Sequence, residues 1–177
     1  MRYRPAACSL FQGSKEVTGI DVSASMLTEA KNNMEKHLVN NVQLLESNSP
    51  DILTGKQFDL GHSFIVMQHI PVHIGYHVFE ILLQLIKKGG YGMIHLTYSN
   101  DKTLIKNQKN KLKSRYQFFS RFFNVVSGRH PDKPYMHMNN YNLATVFRII
   151  EKAGISKSYV ELTNHGGYRG LCLYLAK

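Results

Sequence analysis

The chain has 177 residues, 43% of them hydrophobic, and carries 22 Lys and Arg against 12 Asp and Glu for a net charge of +10. That length suits one domain around one core, since domains commonly run about 100 to 150 residues. No apolar run reaches about 18 residues, which excludes a helical membrane span, and no signal-peptide order of charged, apolar and small residues opens the chain. Cys8 and Cys172 sit in apolar surroundings, Cys172 within Leu171-Cys172-Leu173-Tyr174-Leu175, which suits buried thiols in a reducing cytoplasm better than a disulfide scaffold.

In chain order, Ala6 to Phe11 can serve as a short strand, and the β-branched residues of Glu16 to Asp21 predict another. Ala24 to His37 reads as a helix from the spacing of Met26, Leu27, Ala30 and Met34, with Ser23 or Ser25 placed to cap it. Asp21 therefore closes a strand just before a helix. A lone carboxylate there is where nucleotide-binding α/β sheets grip a ribose, because two vicinal hydroxyls can donate charge-assisted hydrogen bonds to it. The plain alternative is a capping role for Asp21.

Val42 to Glu46 forms the next strand, followed by a loop containing Asn48. Phe58 to Met67 is a near-continuous apolar run, as a buried parallel strand requires. Gln68-His69-Ile70-Pro71 ends it, with Pro71 opening a helix over Val72 to Lys87 that Gly89-Gly90 stop. Tyr91 to Tyr98 is a further strand, carrying His95 and Tyr98.

Lys102 to Lys133 is strongly basic and interleaved with Tyr116, Phe118, Phe119, Phe122 and Phe123. Cations beside rings can hold nucleic acid, but an amphipathic helix with its aromatics packed down is the reading preferred here. Residues 101–135 are thus expected to form a basic, aromatic-rich insertion or lid. After it come a helix, Leu143 to Ala153, and two strands, Lys157 to Thr163 and Arg169 to Ala176. The nine histidines show no zinc spacing backed by cysteines or by a helix-borne glutamate, so no metal is expected.

Val17 to Leu27, Phe58-Asp59-Leu60-Gly61-His62-Ser63, Gln68-His69-Ile70-Pro71 and Lys88-Gly89-Gly90-Tyr91-Gly92, in that order, resemble the class I S-adenosylmethionine-dependent methyltransferases. The resemblance implies an α/β, Rossmann-like sheet, mostly parallel with an antiparallel strand near one edge. It implies S-adenosylmethionine as cofactor and methyl transfer to a small-molecule acceptor. Cofactor contacts then fall to Asp21, Met26, Asn48, Ser63 and Gln68, with Asn48 against the adenine amine. His69 becomes the candidate general base, since an imidazole accepts protons near neutral pH. The acceptor pocket is expected to draw on His95, Tyr98, His137, Tyr141 and His165.

The family's Gly-x-Gly-x-Gly loop belongs about twenty residues before the ribose acid. In this sequence Gly13 is the one glycine ahead of the Asp21 strand. The chain is therefore expected to be a single methyltransferase-like domain that is truncated or remodelled at its amino terminus. Three rivals follow: a cofactor-free remnant acting as a binding or regulatory module, a nicotinamide oxidoreductase, and a nucleic-acid-binding module. An unpaired strand edge leaves room for homodimerisation.

Overall fold

The computed structural model describes residues 13–47, 53, 55–100 and 138–177. Its contacts divide the chain into two units, Met1–Lys56 and Gln57–Lys177. The basic stretch 101–135 lies outside the described residues, as do Asn48 and His137.

The first unit is a βαβ turn of chain. Strand β1 (Val17–Asp21) pairs in parallel with β2 (Val42–Glu46), in a register running from Val17↔Val42 to Asp21↔Glu46. Helix α1 (Ala24–Lys36) makes the crossover. Ser23 caps it, its hydroxyl accepting from the Met26 N–H at 3.4 Å, and a parallel pair needs such a crossover. None of residues 13–47 is buried.

The second unit holds a four-stranded sheet in the order β3-β4-β6-β5. Its strands are β3 (Phe58–Ser63), β4 (Ile86–Asn100), β5 (Lys157–His165) and β6 (Tyr168–Ala176). β3 and β4 are parallel, and β6 runs antiparallel to both β4 and β5. One reversed strand therefore sits beside the edge strand β5, as the sequence led one to expect. A two-residue turn joins β5 to β6 through Gly166 and Gly167, both at positive φ (63° and 86°), the conformation a tight hairpin demands.

Helix α2 (Val72–Leu85) and helix α3 (Leu143–Lys152) cover one face of this sheet. Phe79, Leu83, Val146, Ile149 and Ile150 pack there against Ile94, Leu96, Leu171 and Leu173. The period-2 alternation of β4 sends Ile94 and Leu96 to that core and His95 and Thr97 to the other face. Among the described residues, no helix is long and apolar enough to cross a membrane.

Two boundaries differ from the sequence reading. The apolar run after Phe58 stops being a strand at Ser63: Phe64 and Val66 are exposed, Ile65 takes a left-handed φ of 60°, and Met67–His69 is a 3-10 turn. Helix α2 ends at Leu85, and Gly89-Gly90 lie inside β4 instead of terminating the helix. The cause is Ile86, which is buried where Gly61 and Gly92 present no side chain. The register absorbs the difference as a bulge, since Phe58 pairs with Ile86 but Leu60 with Tyr91.

Candidate functional site

At the end of β1, Asp21 is exposed, and its Oδ1 accepts the Ser23 N–H at 2.8 Å. The Ser23 hydroxyl meanwhile caps α1 and lies 2.9 Å from that of Ser25. Asp21 and Ser23 thus divide the helix start between them, one orienting the turn and the other capping. A carboxylate held by one backbone N–H keeps acceptor capacity for a ligand's hydroxyls. Met26, on the first turn of α1, is 52% exposed.

In the second unit the carboxyl ends of β3 and β4 carry a tight polar seam. Ser63 and Gln68 are buried. The Gln68 Oε1 accepts from the Thr97 hydroxyl at 2.9 Å, and its Nε2 lies 3.2 Å from Nε2 of His69. The Gln68 carbonyl accepts from the Asn139 N–H at 2.7 Å and from its side-chain amide at 3.2 Å. Every polar group of Gln68 named here has a partner, so its side chain is fixed by the fold and His69 is placed beside it.

Tyr141 holds the same turn from behind. Its hydroxyl donates to the Met67 carbonyl at 2.8 Å and lies 3.2 Å from that of Ile70, while its own N–H donates to the Thr97 carbonyl at 2.8 Å. Burial pushes its hydroxyl pKa up to about 12, with Tyr76 adding to the effect, so it stays a donor. The ring fits because Gly75 of α2 has no side chain to meet it.

On the face away from the helices stands His95, 1% exposed. Its Nε2 lies 2.9 Å from the Thr163 hydroxyl, and its buried Nδ1 has no hydrogen-bond partner among the described residues. The Phe64 and His165 rings lie on it, with centroids 5.2 and 5.3 Å away. Burial lowers the His95 pKa, and the neighbouring His165 lowers it further, so the imidazole is held neutral.

The structure therefore brings Ser63, Gln68, His69, His95 and His165 to the carboxyl ends of the second unit's parallel strands. Tyr98 stands apart from His95 because it packs against the helix-side core. Tyr141 is buried with its hydroxyl committed. Sequence reading missed Thr97, Thr163, Asn139 and Phe64. The alternation of β4 was the available signal for Thr97, which shares a face with His95; the others depend on contacts distant in sequence.

A hollow of about 440 Å³ lies on the same face toward the amino ends of β3, β4 and β5, lined by Leu60, Tyr91, Met93, Lys157, Tyr159 and Tyr174. Ligands of open α/β sheets bind outside the carboxyl ends, so this hollow is not where a nucleotide is expected. Among the described residues no cluster of three or more His, Cys, Asp or Glu could hold a metal ion.

Parallel strands, crossover helices and an acid closing β1 define the nucleotide-binding type of α/β protein. The sequence matches the family described as "Methyltransferase domain" over residues 6–153, and the chain belongs to that family. No curated protein matches it. Among solved structures it is similar to magnesium protoporphyrin IX methyltransferase from Synechocystis PCC 6803 with bound SAH, at a TM-score of 0.63 and 18% identity, over 96% of this chain and 68% of that one. A putative methyltransferase from Bacillus halodurans aligns at a TM-score of 0.59 and 12% identity, over 96% of this chain and 86% of that one. An O-methyltransferase family protein from Burkholderia thailandensis gives 0.56 and 12%, over 95% and 53%. The fold is the class I S-adenosylmethionine-dependent methyltransferase fold.

Proposed function

We propose that the protein transfers a methyl group from S-adenosylmethionine to a small-molecule acceptor. The observation that carries this reading is Asp21, an exposed acid at the carboxyl end of a parallel strand, oriented by the Ser23 N–H in a chain of the methyltransferase family. Asp21 takes the ribose hydroxyls, Asn48 the adenine amine, and Met26 packs against the nucleoside. Ser63 and Gln68 serve the methionine end.

The bound cofactor supplies an electrophilic methyl group on a sulfonium, and this chain's residues supply position, which dominates an in-line displacement. Gln68, locked by Thr97 and Asn139, sets the rim of the site. His69, whose Nε2 accepts from the Gln68 amide, is the candidate to take a proton from an acceptor that keeps one once that contact opens. His95, His137 and His165 belong to the acceptor side, and Tyr98 and Tyr141 act there by positioning.

Titration calorimetry with S-adenosylhomocysteine tests this. The expected result is saturable heat, with affinity reduced about tenfold or more by Asp21→Ala, the loss of charge-assisted hydrogen bonds. The alternative reading is a cofactor-free binding module of the same family. Absence of heat with the folded protein decides for that module.

A further inference from the structure

We propose that the ring cluster of Phe64, His95 and His165 is the seat of a phenolic acceptor, and that Phe64 holds the place of the acceptor's ring. This rests on the methyl-transfer reading and names its substrate class. Three observations lead to it.

The first is a buried nitrogen. His95 is 1% exposed, its Nε2 is engaged by Thr163, and its Nδ1 has no partner among the described residues. Buried polar atoms are rarely left so, and one belonging to a ring cluster at strand ends marks a place where a ligand's polar atom completes the set. The ligand group must suit either tautomer. If Nε2 donates to Thr163, Nδ1 is a bare acceptor; if the Thr163 hydroxyl donates, Nδ1 carries the hydrogen. A hydroxyl serves both cases, whereas a carboxylate or an ether serves only the second.

The second is the surroundings of that nitrogen. The Phe64 and His95 rings are tilted by 58° at 5.2 Å, Phe64 meets His165 edge-on at 6.1 Å, and His95 meets His165 at 5.3 Å. Aromatic groups favour these offset and edge-on arrangements. A planar ring bearing a hydroxyl satisfies the rings and the nitrogen together, and an aliphatic alcohol satisfies only the nitrogen.

The third is how Phe64 is held. It is 41% exposed despite its size, and it stands directly before Ile65, whose φ of 60° is strained for a β-branched residue. A half-exposed ring on a strained turn exchanges readily for a ligand ring that makes the same contact with His95 and adds a hydrogen bond.

The test uses the full chain with 15N-labelled histidine. Titrating p-cresol is expected to move the His95 Nδ1 resonance, while toluene, which has the ring without the hydroxyl, leaves it in place. The spectrum of His95→Gln identifies the signal. Phe64→Ala is expected to bind p-cresol about fivefold more tightly, because no resident ring competes. A silent Nδ1 in both the wild type and Phe64→Ala overturns the proposal, and so does an equal response to toluene. Weaker binding by Phe64→Ala also overturns it, since Phe64 is then a wall and not a placeholder. S-adenosylhomocysteine heat, measured on the same sample, keeps the two readings apart. A silent Nδ1 with normal heat sinks the phenolic site alone, and a responding Nδ1 without heat sinks methyl transfer alone.

Discussion

His95 and Thr163 belong to strands that are not neighbours, yet Nε2 and Oγ1 meet at 2.9 Å over Gly170 of the intervening β6. A Cβ on Gly170 would stand 2.8 Å from both atoms and from the Leu96 carbonyl. Gly170→Ala is therefore expected to part the pair and to destabilise the protein by about 1–3 kcal/mol, as overpacking does. A denaturant midpoint unchanged from wild type would refute this.

Tyr141 ties the Met67–Ile70 turn to α2 and β4. Tyr141→Phe keeps the ring and leaves the Met67 carbonyl without its 2.8 Å donor. The expected cost is about 1–2 kcal/mol. Gly75→Ala should cost more, since its new methyl group falls on the Tyr141 ring. Thermal melts of the two variants check the ranking, and the reverse order counts against the packing described.

The Gln68–Thr97 bond gives a matched comparison. Thr97→Val preserves shape but leaves a buried amide oxygen unpaired, whereas Thr97→Ser keeps the donor. Destabilisation of about 1–3 kcal/mol is expected for valine from the stranded acceptor, and less for serine. Valine is also expected to weaken S-adenosylhomocysteine binding by freeing Gln68. Equal melts for the two variants would remove Gln68 as a fixed element of the rim.

Acid should weaken the fold through its histidines. Burial lowers the pKa of His95, with His165 adding to it, and burial lowers that of His62. The unfolded chain then binds protons at a higher pH than the folded one, so stability is full above the ordinary histidine value of about 6.5 and declines below it. Melting temperature is expected to fall between about pH 7 and pH 5. His95→Gln should flatten that slope, and a stability that rises toward acid would contradict the buried, neutral imidazole.

Much of the architecture was legible because it follows from local rules. The β-branched run before Asp21 and the Ser23 cap each specify their own geometry, and the terminal strand pair appeared nearly where expected. Composition failed where packing decides. Phe64-Ile65-Val66 has the residues of a buried strand yet turns outward, and Ile86 leaves the helix pattern because Gly61 of the neighbouring β3 and Gly92 of its own strand accept it. Of the candidate site, the sequence named Asp21 and Gln68 from their places at strand ends and His95 from its strand. The parts that fix Gln68 and His95, namely Thr97, Asn139 and Thr163, were not, since hydrogen bonds spanning 29 to 71 residues leave no mark in a local pattern.

Residues 13–47 keep their shape through main-chain pairing and helix capping, with no side chain sealed from water. Amide hydrogens of β1 and α1 are accordingly expected to exchange through cheap local openings, while those of β4 and β6, which carry Ile94, Leu96, Leu171 and Leu173, wait for global unfolding. Asp21 stands in the softer region. A ligand that grips it adds RT ln(1 + [L]/Kd) to the order of its own anchorage, so slowed exchange at β1 with rising S-adenosylhomocysteine is the form that tightening takes.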